Sequence, residues 1–434
     1  MLGTADLRKA DSRLKLIPIT CATFLLTLAV FAYGVAVKRF DLWPNRHLEQ
    51  MEVAGRSLLK HGRIVPEGLF KRAPEDAPRE RVVVHAPARL NGGYYAILGW
   101  DDAKRRYSAW LYDTRGQLRH TWPIDYAALD PDGPSGGSDA PHGFKVLPDG
   151  SLLINFDKGD ALARLDTCGE ALWVREGQFH HSIEHADDGS FWTWRGEGSS
   201  YSQYQYLVNF DPADGSTIRE IGLVEDIIMQ MGGTAAVFGV RSNREFLRYV
   251  DMKDDKSDDI FHPNDIEPLS SALAEHFPDF APGDLLISLR NANLVAVVDP
   301  TNGRTKWWST GPWRYQHDPD FTADGRISVY NNNSDRGRSE ITLIDPASRT
   351  VSNAFEGGGF RFYSHSMGTH QHLPNGNVLV VVPGEGRVVE VSPEGEKVYE
   401  FNNTLVAAGR YNGHVENAVW IAADHFESLP ECPR

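Results

Sequence analysis

One phrase recurs six times along this chain: an apolar strand, a turn residue that is Asp in five copies and Ser in the sixth, a short turn, and a second strand that often ends in Trp. The copies are AWLYDTRGQLRHTW from Ala109, ALARLDTCGEALW from Ala161, YLVNFDPADGSTIREI from Tyr206, LVAVVDPTNGRTKWW from Leu294, ITLIDPASRTVSNAF from Ile341 and RVVEVSPEGEKVYEF from Arg387. Their turn residues are Asp113, Asp166, Asp211, Asp299, Asp345 and Ser392. The unit is about 47 residues, with one interval longer by about 40, and a repeat of that length holding four short strands is a propeller blade. A second phrase lies between the copies: HGFKVLPDGSLLINF, HSIEHADDGSFWTW, HDPDFTADGRISVY and HQHLPNGNVLVVV. Its Asp-Gly or Asn-Gly joins two strands as a hairpin requires. A stretched copy runs from HPNDIEPL at His262 to GDLLISLR at Gly283, and NGGYYAILGW at Asn91 is expected to pair with the last strands and close the ring. The fold expected is all-β, a six-bladed β-propeller over residues 83–434.

Composition agrees with many short strands and tight turns: the 434 residues include 40 Gly, 25 Pro and 11 Trp. The formal charge of −15 argues against a nucleic-acid partner, which needs clustered Lys and Arg. Leu16–Val37 is an uncharged apolar stretch of 22 residues, long enough for one transmembrane helix. A cleaved signal peptide is the other reading, but its apolar region is normally shorter. Arg8, Lys9, Arg13 and Lys15 precede the stretch, which places the N-terminus in the cytoplasm and the remaining mass outside it, periplasmic in a Gram-negative source. Residues 1–40 are thus read as tail and anchor, and 41–82 as a linker with a short membrane-proximal helix over Pro44–Gly68. Cys21 falls in the span; Cys168 and Cys432 lie in the oxidising compartment, either bonded, tying the C-terminal tail to a blade, or as two free thiols.

His142, His181 and His317 each stand eight residues before a turn glycine, at Gly150, Gly189 and Gly325. Equivalent positions of all blades converge on the central axis, so the shared offset predicts a common pocket. Strand alternation lets only one of His180 and His181 face the axis, and the offset favours His181. In the fifth copy Gly368 holds that offset, with His370 and His372 two and four residues later and His365 close by. A single such histidine reads as a turn residue; the repetition, with His262 beside it, reads as a functional pocket.

At these residues the sequence resembles the bacterial arylsulfate sulfotransferase family, in its broader arylsulfotransferase-like branch. The similarity spans roughly Asn91 to Phe401, through FHPNDIEPL, GDLLISLRNANLVAVVDP, TKWWSTGPWRYQHDPDFTADGRISVYNNN and MGTHQHLPNGNVLVVVPGEGRVVEVSPEGEKVYEF. The resemblance implies transfer of a sulfuryl group from an aryl sulfate to a phenol, with no nucleotide donor and no cofactor or metal. Histidine suits this chemistry as nucleophile and as acid or base near neutrality, and arginine suits the sulfuryl oxygens. The implied catalytic set is His317 or His370 as nucleophile, His181 and His262 assisting, and Arg336 paired with His317 in preference to Arg338. His142, Arg290 and His365 are expected to bind substrate. Two other classes compete: convergent imidazoles suit Zn²⁺, Cu²⁺ or Fe²⁺, and propellers also serve as membrane-anchored binding scaffolds.

Overall fold

The computed structural model describes residues 21–37, 69–129, 140–157, 160–231, 259–334, 336–355, 360–405 and 411–433. The chain divides into two units, 1–69 and 70–434. In the first, residues 21–37 are helical, and Phe24, Leu26, Val30 and Phe31 expose their side chains. The rest of the expected anchor, and the helix expected over Pro44–Gly68, lie outside the described residues. Among the described residues no helix is long and apolar enough to cross a membrane, so the transmembrane expectation is not borne out there.

The second unit is a ring of six antiparallel sheets. Their innermost strands are Pro141–Val146, Gln178–His185, Pro263–Pro268, His317–Phe321, His370–His372 and Val415–Ile421, here blades 1 to 6. Blade 6 takes its inner strand from the C-terminus and pairs it with Tyr94–Asp101, followed by Arg106–Asp113 and Leu118–Pro123. The ring therefore closes at the strand expected from Asn91. One strand falls within the stretch expected as linker, Phe70–Arg72, which pairs with Tyr411–Gly413, and Val82–Val84, at the expected start of the propeller, adds a fifth strand to blade 5.

The middle strands read as apolar runs with at most one polar residue, because a neighbouring blade covers each face. Leu152–Phe156, Leu285–Leu289, Leu294–Val298 and Val378–Val382 are buried throughout, whereas the outer strand Ala171–Glu176 is largely exposed. The recurrent turn Asp closes its own loop: Asp113 Oδ1 accepts from the N–H groups of Arg115 and Gln117, Asp166 from Cys168 and Glu170, and Asp345 from Ala347 and Ser348. The recurrent Trp ties one blade to the next. Trp122 Nε1 donates to Gly150 O (2.9 Å), Trp173 to Pro212 O (3.0 Å) and Trp307 to Pro346 O (3.0 Å). Cys168 and Cys432 are disulfide-bonded, joining a turn of blade 1 to the tail that follows blade 6.

Candidate active site

A cavity of about 250 Å³ lies on the axis, its wall drawn from the inner strands of all six blades. Five of those strands carry a β-bulge, between Pro141 and Phe144, His180 and Ile183, Pro263 and Asp265, His317 and Pro319, and Val415 and Asn417. Left-handed backbone marks the same places, with φ of 59° at His181, 46° at His262 and 49° at Asp318. In a regular strand residues i and i+3 face opposite ways. One extra residue in a bulge brings them back to the same face, so His142 and Lys145 in blade 1 and His317 and Asp320 in blade 4 all line the cavity. In blade 2 two residues, His181 and Ser182, are unpaired between His180 and Ile183, and His181 and Glu184 both line the cavity. The axis acquires an imidazole layer and, three residues further along each strand, a charged layer of Lys145, Glu184, Asp265, Glu267 and Asp320, with Asp318 beside it.

In the imidazole layer the rings of His142 and His181 lie 4.2 Å apart and those of His181 and His262 lie 5.1 Å apart. Gln205 spends its amide N–H groups on Ser200 O and Ser202 O, so its Oε1 must accept from His180 Nε2 at 2.8 Å. His180 Nδ1 is therefore the acceptor of the 2.6 Å bond from His181 Nδ1, which leaves His181 Nε2 unprotonated. Of the two, His181 lines the cavity, and His180 stands behind it, joined by this ring-to-ring bond. His317 is fixed in the same tautomer, Nδ1–H donating to Asn332 Oδ1 at 2.7 Å while Nε2 accepts from Met367 N–H at 3.1 Å. Burial holds both rings well below the usual imidazole value, helped at His317 by the Arg290 charge and at His181 by the surrounding histidines. His262, also lowered by burial, lies 2.7 Å from Asp259.

Arg290 stacks over Tyr315 at 5.6 Å, and its charge acts on both His262 and His317. Arg336 and His365 stand elsewhere. Both are exposed, and Arg336 lines a separate surface cavity with Arg338 and Arg361. The reason is local: Asn333 adopts φ 46° and Arg336 N–H bonds to Asn333 O, a turn that carries both arginines to the flank of blade 4. His370 reaches the cavity, as does His372, but its ring is held from both sides. Nδ1 lies 2.9 Å from Asp318 Oδ2, and Nε2 lies 2.5 Å from Ser328 Oγ and 3.4 Å from Asp320 Oδ2.

Sequence reasoning missed Glu416, on the inner strand of blade 6. Its Oε1 lies 3.1 Å from His142 Nδ1 and its Oε2 2.7 Å from His414 Nε2, and burial lifts its carboxyl to about 7. It also missed the charged layer. The repeat register that found the histidines would have found it at the next positions, had the bulge been foreseen. Burial raises Asp265, Glu267 and Asp320 well above the usual carboxylate range, and they reinforce one another; burial pulls Lys145 down, but Glu184, Asp318 and Asp320 outweigh it.

Among solved structures the chain is similar to a protein of unknown function from Bacteroides caccae, with 11% identity and a TM-score of 0.46 over 75% of this chain and 99% of that one. It is also similar to TolB from Acinetobacter baumannii (14% identity, TM-score 0.44, 76% of this chain and 66% of that one). A third is virginiamycin B lyase from Staphylococcus aureus (13% identity, TM-score 0.35, 62% and 72%). No curated protein matches it. The family profile described as Arylsulfotransferase (ASST) matches residues 143–404, more than half of the chain and five of the six axial strands, and the chain belongs to the arylsulfotransferase family.

Proposed function

We propose that the axial cavity transfers a sulfuryl group from an aryl sulfate to a phenolic acceptor, with His317 as the nucleophile. The observation that carries the choice is the fixed tautomer beside the Arg290 charge: Asn332 holds the proton on Nδ1 of a ring that burial and Arg290 keep neutral, and the Nε2 lone pair, which accepts from Met367 N–H at 3.1 Å in the resting site, exchanges that donor for sulfur. Nε2 forms the N–S bond as the S–O(aryl) bond breaks, and the electron pair leaves with the phenolate. The sulfated ring keeps its Nδ1–H donated to Asn332. The proton for the phenolate comes from the His142–Glu416 pair, which holds one near neutrality because burial lifts Glu416 to about 7. A phenol acceptor returns that proton as its oxygen attacks sulfur and His317 leaves. Arg290 offsets charge on the sulfuryl oxygens. His181 and His262 pack the far side of the group, and His370, clamped by Asp318 and Ser328, is the poorer nucleophile.

The test is incubation with a chromogenic aryl sulfate and a phenol, followed by peptide mass spectrometry. A sulfuryl adduct on the His317 peptide is expected, and His317→Ala should lower turnover by roughly a thousandfold or more. An adduct on His370 instead, or no turnover across a broad donor panel, refutes the assignment.

The same reading places the propeller outside the cytoplasm on a single N-terminal helix. Its support is the uncharged stretch Leu16–Val37, the basic residues before it and the Cys168–Cys432 bond. Alkaline extraction of membranes should leave the full chain in the pellet; release into the soluble fraction would refute the anchor.

A further inference from the structure

The charged layer contains one group of ligand atoms with the chemistry of a metal site. A carboxylate oxygen each of Asp318 and Asp320 and a ring nitrogen of His370 all lie within 4.8 Å of one another. Two strands bring them together: Asp318 and Asp320 belong to the bulged inner strand of blade 4, and His370 to the inner strand of blade 5. The His370 side chain is fully buried and pinned, its backbone N–H also donating to Asp318 Oδ2 at 2.5 Å. Around the trio stand three more carboxylates of the same wall, Glu184, Asp265 and Glu267, against a single ammonium, Lys145, which lies 2.6 Å from Glu184 and so is already engaged.

A second observation is independent of the acidic residues. Asn264 is 5% exposed and lines the same cavity. Its Nδ2 donates to Gln316 O at 2.8 Å, which anchors the amide next to the segment carrying Asp318, yet its Oδ1 has no hydrogen-bond partner. A buried amide oxygen without a donor is costly, and a cation satisfies it.

We propose that Asp318, Asp320 and His370 hold a divalent cation in the axial cavity, whose wall also carries the unpartnered Asn264 amide oxygen. Two carboxylates and one imidazole suit a hard to borderline ion, Mn²⁺ among the common ones. The site differs from the imidazole cluster of His142, His181 and His262 in both position and ligand type. It also removes His370 from the pool of nucleophiles. The inference goes beyond sulfuryl transfer and does not rest on it: the ion is read out with no aryl sulfate present.

The full chain, stripped with EDTA and dialysed, is titrated with Mn²⁺ while the free-ion paramagnetic resonance signal is followed. One Mn²⁺ per chain is expected to bind. Asp318→Asn and Asp320→Asn, which keep side-chain size, should each weaken it about tenfold or more, and His142→Ala should leave it within about threefold. Circular dichroism checks that each variant folds. Pulsed paramagnetic resonance on the unmutated protein, which depends on no variant, should find nitrogen coupling from one imidazole. Absence of stoichiometric binding overturns the proposal, as does loss of binding in His142→Ala with retention in Asp318→Asn, or coupling to no imidazole or to several.

Discussion

Glu416 shows how one buried carboxyl makes the site sensitive to pH. Burial raises its folded value from 4.5 to about 7. The folded chain therefore binds this proton more tightly than the unfolded chain, so the group favours the fold at low pH and loses that contribution as pH rises from about 4.5 to about 7. Glu416→Gln cannot ionise. Its stability relative to the unmutated protein should rise between about pH 5 and pH 8, by up to about 3 kcal/mol, as measured by urea unfolding at each pH; an unchanged difference would refute the assignment. Activity should lose its limb near neutrality in the same variant. Buried histidines act in the opposite direction. His180 is lowered to about 4 and His372 and His414 to about 3, mainly by burial. Each contributes stability above the usual imidazole value that is lost as pH falls toward its folded value. None of this was legible in sequence, because a histidine or a glutamate acquires its shifted titration from the atoms around it. The repeated offset placed His142, His181 and His317 in one pocket, but whether a ring is a base, a nucleophile or a clamp depends on partners such as Asn332 and Asp318.

At the scale of elements, the recurring device is an asparagine reaching from one blade to the inner strand of the next. Asn155 of blade 1 accepts Gly143 N–H at 2.8 Å and donates to His181 O at 2.9 Å and Thr193 Oγ1 at 3.1 Å. Asn264 donates to Gln316 O, Asn332 to Met367 O, and Asn403 to His414 O. Each latch grips the backbone at or beside a cavity residue, and those of Asn155, Asn264 and Asn403 sit next to a bulged inner strand and hold it in register. Asn155→Ala leaves buried groups of Gly143, His181 and Thr193 unpaired and should cost about 2–4 kcal/mol of stability. It should also lower kcat about tenfold with a smaller change in KM, since His181 keeps its chemistry but loses its position; a proportionate rise in KM alone would contradict this. Gly368 is a second such point. With φ 110° and Tyr330 packed where a Cβ would stand, it lets the chain pass between Met367 and His370. The strands and hairpins were readable from alternation and turn residues, and the recurrent Asp and Trp of the repeat proved to be turn closures and ties between blades. The bulges were not readable, because an extra residue changes no propensity and shows only against a paired strand. That is why the charged layer three residues beyond the histidines went unnoticed. Arg336, expected beside His317 from the family resemblance, is carried out of the pocket by the turn at Asn333.

For the whole molecule, closure decides stability. The ring is sealed where the C-terminal strand Val415–Ile421 joins Tyr94–Asp101, and the Cys168–Cys432 bond fastens blade 1 to the tail beyond that seam across 264 residues of chain. Cross-linking so long a loop restricts the unfolded chain, so replacing both cysteines by Ser should cost about 3 kcal/mol in urea unfolding with the fold intact; equal stability with and without the bond would show that the strand seam alone holds the ring. By itself the sequence determined the blade count, the hairpins and the convergence of equivalent residues on one axis, because periodicity and turn chemistry are local properties that symmetry then multiplies. Only the tertiary structure decided which nitrogen of His181 and His317 carries the proton, that the Arg290 charge acts on His262 and His317, and that a group of carboxylates shares the cavity with the rings. Those outcomes depend on burial and on contacts between blades that are far apart in the chain, where a displacement of one residue in a bulge turns a side chain from solvent to the axis.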